Sequence, residues 1–159
     1  MPSLYIEIEI EASRAKVWQA LIKKENWYWW NTFLFDCDPQ KTFQLGQSVL
    51  LALQRTEGEE ESEFQPTVVR LQPNLYLQWV STAPGFKSEH IFELQDIGID
   101  RTKYIHRERL SGLLSGLFLT FLRQDEKRGL QRMARQLKRY VEQGSRPLNQ
   151  RDRGLGYPG

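Results

Sequence analysis

The run Phe86-Lys87-Ser88-Glu89-His90-Ile91-Phe92-Glu93-Leu94 and, after a short break, Thr102-Lys103-Tyr104-Ile105-His106-Arg107-Glu108-Arg109-Leu110 decide how this chain folds. In the first run Phe86, Ser88, His90, Phe92 and Leu94 share one face, and Lys87, Glu89 and Glu93 share the other. In the second, Tyr104, His106, Glu108 and Leu110 oppose Lys103, Arg107 and Arg109. A period of two predicts strands with one face buried. The even-numbered side is the inner one in both. A hairpin turning near Gly98 sets His90 beside His106 and Ser88 beside Glu108, so the two histidines of the chain converge with a carboxylate on the inner face.

Outward from this hairpin, strand-like runs cover 44–55, 62–71 and 75–81, broken by Gly58 with its glutamates, Pro73-Asn74, Pro84-Gly85 and the segment 96–100. Short connections join antiparallel neighbours, so the runs form a meander and not parallel crossover units. Leu4, Ile6, Ile8 and Ile10 alternate with Tyr5, Glu7, Glu9 and Glu11 as a first strand. Ser13 then caps a short helix carrying Val17, Trp18, Leu21 and Ile22 on one side. Trp27, Tyr28, Trp29 and Trp30 follow within a second short helix and turn that lead to a strand near Phe33. At the other end Leu130, Met133, Leu137, Tyr140 and Val141 recur at three and four residues, the stripe of a long amphipathic helix. The predicted architecture is α+β: a curved antiparallel sheet of about seven strands around a long C-terminal helix, with two short helices after the first strand. It forms one domain over 1–143, and 144–159 is an extended basic tail rich in Gly, Pro and Arg.

Composition bounds the function. With 159 residues, 40% hydrophobic and 26% charged, the chain is of ordinary globular size and make-up. Cys37 is its one cysteine, which excludes an internal disulfide and any Cys-rich zinc motif and fits a reducing cytoplasm. Residues 1–11 hold three glutamates and no apolar block, so no secretory signal is expected there. The apolar stretch Leu113 to Leu122 is about half the length of a membrane span, and stable membrane insertion is not expected. Residues 123–159 hold ten Lys/Arg against four Asp/Glu. Few aromatics interleave these charges, so they read as a solvated helix face and not as a nucleic-acid surface.

Several residues match one known family. They are Trp30-Asn31, Gly46, Phe64-Gln65-Pro66-Thr67-Val68, Pro73, Trp79, Ser88-Glu89-His90, Phe92-Glu93-Leu94 and the run His106-Arg107-Glu108-Arg109-Leu110-Ser111-Gly112-Leu113-Leu114. Over about residues 4–143 the chain resembles the SRPBCC superfamily of START and birch-pollen-allergen-like domains, and within it the polyketide cyclase/dehydrase-like bacterial proteins. Thr32 stands where proline is common in that pattern, a change expected to loosen the turn. The resemblance implies a helix-grip fold enclosing a cavity. It does not fix a function, because this fold hosts carriers, receptors, hydratases, cyclases and chaperone regulators.

The candidate site follows from both readings. His90, His106 and Glu108 suit a hydrogen-bonded patch that orients a ligand, which is the first expectation; acid/base chemistry and a metal site are the alternatives. In the acid/base reading His106 is acid or base, Glu108 orients it and His90 polarises a ligand oxygen. No helical His spacing supports a metal, and no cofactor is expected. Trp18 and Trp79 read first as core. Trp29, Trp30 and Phe33 are expected at the cavity rim, with Leu113, Leu114, Leu117, Phe118 and Phe121 as the facing wall. Phe64, Trp79, Ser88, Phe92 and Tyr104 complete the expected ligand-binding set. The partner is then a small apolar, lipid-like or polyketide-like molecule, bound by a monomer or homodimer acting as a carrier or as a cyclase/dehydratase-type enzyme. Glu57, Glu59, Glu60, Glu61 and Glu63 form a hydrated hairpin tip, and Cys37 is no catalytic thiolate.

Overall fold

The structure is a computed structural model and describes residues 3–144, apart from the side chain of Leu119. The tail expected from residue 144 onward lies, Gly144 excepted, outside the described residues. Strand β1 (Ser3–Ile10) leads to helix α1 (Arg14–Ile22), a 3-10 helix (Lys24–Trp29) and strands β2 (Leu34–Asp36), β3 (Leu51–Leu53) and β4 (Ser62–Phe64). Then come β5 (Thr67–Gln72), β6 (Tyr76–Ala83), β7 (Phe86–Gly98), β8 (Arg101–Ser111) and the long helix α2 (Ser115–Glu142).

Strands β5 to β8 form the expected antiparallel meander, and β1 closes it by pairing with β8, in the order β1-β8-β7-β6-β5. The remaining strands form a second sheet, β2-β3-β4, linked to the first by a bridge between Ser48 and Thr67. Among the described residues there are thus eight strands in two sheets instead of about seven in one. The run expected over 62–71 divides at Gln65-Pro66, because proline has no N–H to give the ladder. The run over 44–55 keeps only Leu51–Leu53 as regular strand.

Local chemistry accounts for the entry into the fold. Leu4, Ile6 and Ile10 are buried and Tyr5, Glu7 and Glu9 exposed, as alternation requires. Ser13 Oγ accepts the N–H of Lys16 at 3.3 Å and caps α1, which buries Val17, Trp18, Ala20 and Leu21. Asn31 Oδ1 then accepts two N–H groups, those of Phe33 and Leu34, each at 2.9 Å, and so turns the chain into β2. Thr32 does not loosen this turn. Its N–H donates to Gln136 Oε1 at 3.0 Å, and its hydroxyl accepts from Gln136 Nε2 and Arg132 Nε, ties to α2 that begin with a donor proline lacks.

Helix α2 lies against β1, α1 and β8, and buries Leu130, Met133, Ala134, Leu137, Tyr140 and Val141. Trp27, Trp30, Phe33, Trp79, Phe92 and Tyr104 join them in a continuous core. Lys24 is fully buried in the 3-10 helix, 2.6 Å from Asp36 Oδ1 and 2.8 Å from Asp38 Oδ1, which fixes that helix to β2.

Candidate functional site

The β7–β8 ladder differs from the sequence expectation by two residues: His90 faces Glu108, Phe92 faces His106, and Ser88 faces Leu110. The turn is centred on Ile99-Asp100 and not on Gly98, with Gly98 opposite Arg101 and a bulge between Asp96 and Gly98. A shift of two preserves parity, so the same side chains face inward. The four polar groups still meet, Ser88 with Glu108 and His90 with His106 along the diagonals, and His90 with Glu108 directly across the ladder.

His90 Nδ1 lies 2.9 Å from His106 Nε2, and His90 Nε2 lies 3.4 Å from Glu108 Oε2. Ser88 Oγ donates to that same carboxylate oxygen at 2.8 Å, and Tyr104 Oη lies 3.4 Å from His106 Nδ1. All five residues are buried. Burial opposes charge on both rings, but at His90 the facing Glu108 carboxylate prevails and holds its pKa above the ordinary value. At His106 burial and the His90 charge act together and hold it well below. Burial would raise Glu108, yet the His90 charge and the Ser88 hydrogen bond bring it below its ordinary value. The corner therefore favours a protonated His90, a neutral His106 and an ionised Glu108. That state assigns the tautomers: His90 Nδ1–H donates to His106 Nε2, leaving the His106 proton on Nδ1 toward Tyr104 Oη.

A further titratable group faces this corner from α2. Glu126 is buried, and its Oε2 accepts from Arg55 Nε at 2.8 Å. Burial and the Glu108 charge push its carboxyl up to about 7 against the pull of Arg55. One donor atom each from His90, Glu108 and Glu126 lie within 4.8 Å of one another. Glu126 falls four residues before Leu130 on the apolar stripe of α2. A carboxylate at a stripe position was the available signal for it, and sequence reading passed over it. Arg55, just past β3, carried no such signal.

Beside the corner opens a cavity of about 260 Å³. Its walls are Leu53 and Arg55 at the end of β3, Ser62 to Gln65 along β4, Ser81 to Ala83 at the end of β6, Phe86 on β7 and Phe118 on α2; Ser88, His90 and Glu108 form its polar end. Of the residues expected to bind ligand, Phe64, Ser88, His90, Glu108 and Phe118 border it. Several others do not. Trp30 is fully buried and stacked on Tyr140, and Phe33 lies against Gly129, so neither is a rim residue. Trp29 is half-buried beside Tyr28. Trp79 is core between Phe43 and Phe92, and Phe92, Tyr104 and His106 lie behind the cavity wall. Leu113 is 96% exposed and borders neither this cavity nor the neighbouring groove. Leu114, Leu117 and Phe121 line that groove, an outer and more open one, which shares Arg55, Phe86 and Phe118 with the cavity. Glu63, assigned no chemistry from sequence, stands at the cavity edge. Cys37 is exposed, and its thiol is raised by partial burial and by the Glu63 and Glu61 charges.

A long helix gripped by an antiparallel sheet, with a cavity beside its N-terminal turns, defines the helix-grip class of the SRPBCC superfamily. Residues 11–142 match the profile of the Activator of Hsp90 ATPase homolog 1-like protein family, and the chain belongs to that family. No protein of curated function matches the sequence. Among solved structures, protein CV1439 from Chromobacterium violaceum is similar at TM-score 0.70 and 12% identity, over 89% of this chain and 99% of that one. DynU16 of the dynemicin biosynthetic locus is similar at 0.64 and 19%, over 89% of this chain and 48% of its own. The di-domain ARO/CYC protein BexL of the BE-7585A biosynthetic pathway is similar at 0.70 and 12%, over 92% and 48%. The chain thus spans about half the length of the latter two. At these identities the likeness is one of fold.

Proposed function

We propose that this protein binds a small, mainly apolar molecule bearing a polar oxygen, as a binding or carrier protein. The observation that carries this reading is a cavity with apolar walls from Leu53, Phe64, Phe86 and Phe118 and a buried polar end at Ser88, His90 and Glu108, with Arg55, Glu63 and the Ser62, Ser81 and Thr82 hydroxyls at its other edges. Apolar walls supply affinity, and a few placed polar groups fix orientation. The histidines are engaged within the protein, which supports binding over catalysis. At about 260 Å³ the space lies just under the range of roughly 300–1,000 Å³ usual for drug-sized ligands, so it suits one ring system or a short chain and not a multi-ring polyketide or a two-chain lipid.

The test is native mass spectrometry of the purified protein with identification of any retained molecule, followed by amide NMR titration with single-ring phenols and aromatic carboxylic acids. Saturable shifts at Ser81 to His90 and at Glu108, lost in a Leu53→Trp variant that fills the cavity, are expected. A protein that retains nothing and shows no saturable shift at these amides refutes the reading.

A second reading is a cyclase/dehydratase-type enzyme. It is favoured by the row Tyr104–His106–His90–Glu108, which ends on the cavity and can pass a proton along it. The polyketide-pathway proteins among the structural neighbours support it by analogy of fold. Full turnover of an identified substrate by His90→Ala and His106→Ala would exclude it.

A further inference from the structure

We propose that His90, Glu108 and Glu126 form a binding site for one divalent first-row transition-metal ion at the inner end of the cavity. Three independent strands and helices supply the donors: β7, β8 and α2. Their donor atoms lie within 4.8 Å of one another, a spacing that the soft terminal torsions of two glutamates close onto a single ion. Both carboxylates are held by one oxygen only. Ser88 and His90 engage Oε2 of Glu108, and Arg55 engages Oε2 of Glu126. Oε1 of each is buried with no hydrogen-bond partner among the described residues. Burying two such unpartnered carboxylate oxygens is costly, and an ion seated between them, displacing the His90 proton, would satisfy both.

The imidazole is prepared for the same task. His90 turns Nε2 toward Glu108, while Nδ1 is held at 2.9 Å by His106 Nε2. A metal-binding histidine is commonly oriented by a hydrogen bond from its other ring nitrogen to an acceptor, and a neutral His106 is such an acceptor. Here His106 is a positioning residue. One imidazole with two carboxylates and no thiolate suits Zn²⁺, Mn²⁺ or Fe²⁺ better than copper(I) or an iron–sulfur cluster. Three protein ligands leave coordination positions open toward the cavity. A divalent ion with Arg55, two carboxylates and a neutral His90 leaves one net positive charge, which an anionic oxygen on the bound molecule would balance. The site does not rest on the apolar-ligand reading, because an ion that binds in the absence of any ligand supports this proposal alone.

The experiment uses tag-free full-length protein freed of metal by chelator dialysis, titrated with ZnSO4 and, separately, MnCl2, and followed by calorimetry and by the paramagnetic resonance of Mn²⁺. One ion per chain is expected, with a rise in melting temperature. Glu126→Gln and Glu108→Gln should each lower affinity at least about tenfold, and His106→Gln by roughly 10–100-fold while keeping the stoichiometry. Cys37→Ser, which removes the exposed thiol, should leave binding unchanged. Circular dichroism establishes that each variant is folded, and having two carboxylate variants guards against loss of one. No saturable binding of either ion tighter than about 1 mM overturns the proposal. So does binding that survives both carboxylate substitutions or disappears with Cys37.

Discussion

His106 and His90 are the two histidines of the chain, lie 2.9 Å apart and are driven in opposite directions. His106 in the fold is held well below its ordinary 6.5 by burial and by the His90 charge. Below pH 6.5 the unfolded chain therefore takes up a proton there that the folded chain refuses, and stability falls as pH falls. His90 is held above 6.5, so its contribution is present below that pH and is lost as pH rises through the folded value. Nitrogen-15 NMR of the metal-free protein should show two imidazoles, one titrating above 6.5 and one remaining neutral well below it. In His106→Phe the acid-side loss of stability, at most about 1.4 kcal/mol per pH unit from this group, should disappear from urea-unfolding curves. Glu126 carries the opposite consequence for a carboxyl. Its ordinary value is 4.5 and its folded value about 7, so the folded chain holds a proton there that the unfolded chain has lost. Stability falls as pH rises between those values, by on the order of 3 kcal/mol at most. The difference in unfolding free energy between Glu126→Gln and the parent should shift toward the variant across that window; a difference independent of pH would contradict the assigned environment.

Helix α2 joins two unlike halves. Its C-terminal half buries Leu130, Met133, Leu137 and Tyr140, while the exposed Leu117 and Phe121 stand at its start. Amide exchange should accordingly be faster over Ser115 to Leu122 than over Leu130 to Val141, by the opening free energy that core burial adds. Equal protection along the helix would refute this. The close approach of α2 to Phe33, just before β2, depends on Gly129, where an added Cβ would collide with the buried Phe33 ring. Alanine normally gains about 1 kcal/mol over glycine in a helix, but overpacking a fixed ring costs about 1–3 kcal/mol. Gly129→Ala should be net destabilising in thermal unfolding. A gain would mean that Phe33 yields freely.

On the scale of the whole molecule, the two sheets and α2 enclose the cavity at one end, and Trp30, Phe33 and Tyr140 fill the core along the helix. Much of this was legible in the sequence, because period-two alternation assigns faces and a three-to-four spacing assigns a helix stripe. These patterns identified β1, the β5–β8 meander, α2 and the inward orientation of Ser88, His90, His106 and Glu108. Parity decides such a face, and parity survived even the two-residue error in register. What the sequence could not supply depends on distances between elements far apart in the chain. Trp30 and Phe33 carry the same aromatic signature whether they line a rim or fill a core, and only the seating of α2 on them placed them in the core. Thr32 read as a weakened turn until Gln136 and Arg132, about a hundred residues away, supplied its partners. The residues by themselves determined a buried polar corner on a concave sheet. Only the tertiary structure decided that Glu126 and Arg55 complete it, since a carboxylate on a helix stripe acquires a role from what the opposing sheet brings within a few ångströms of it.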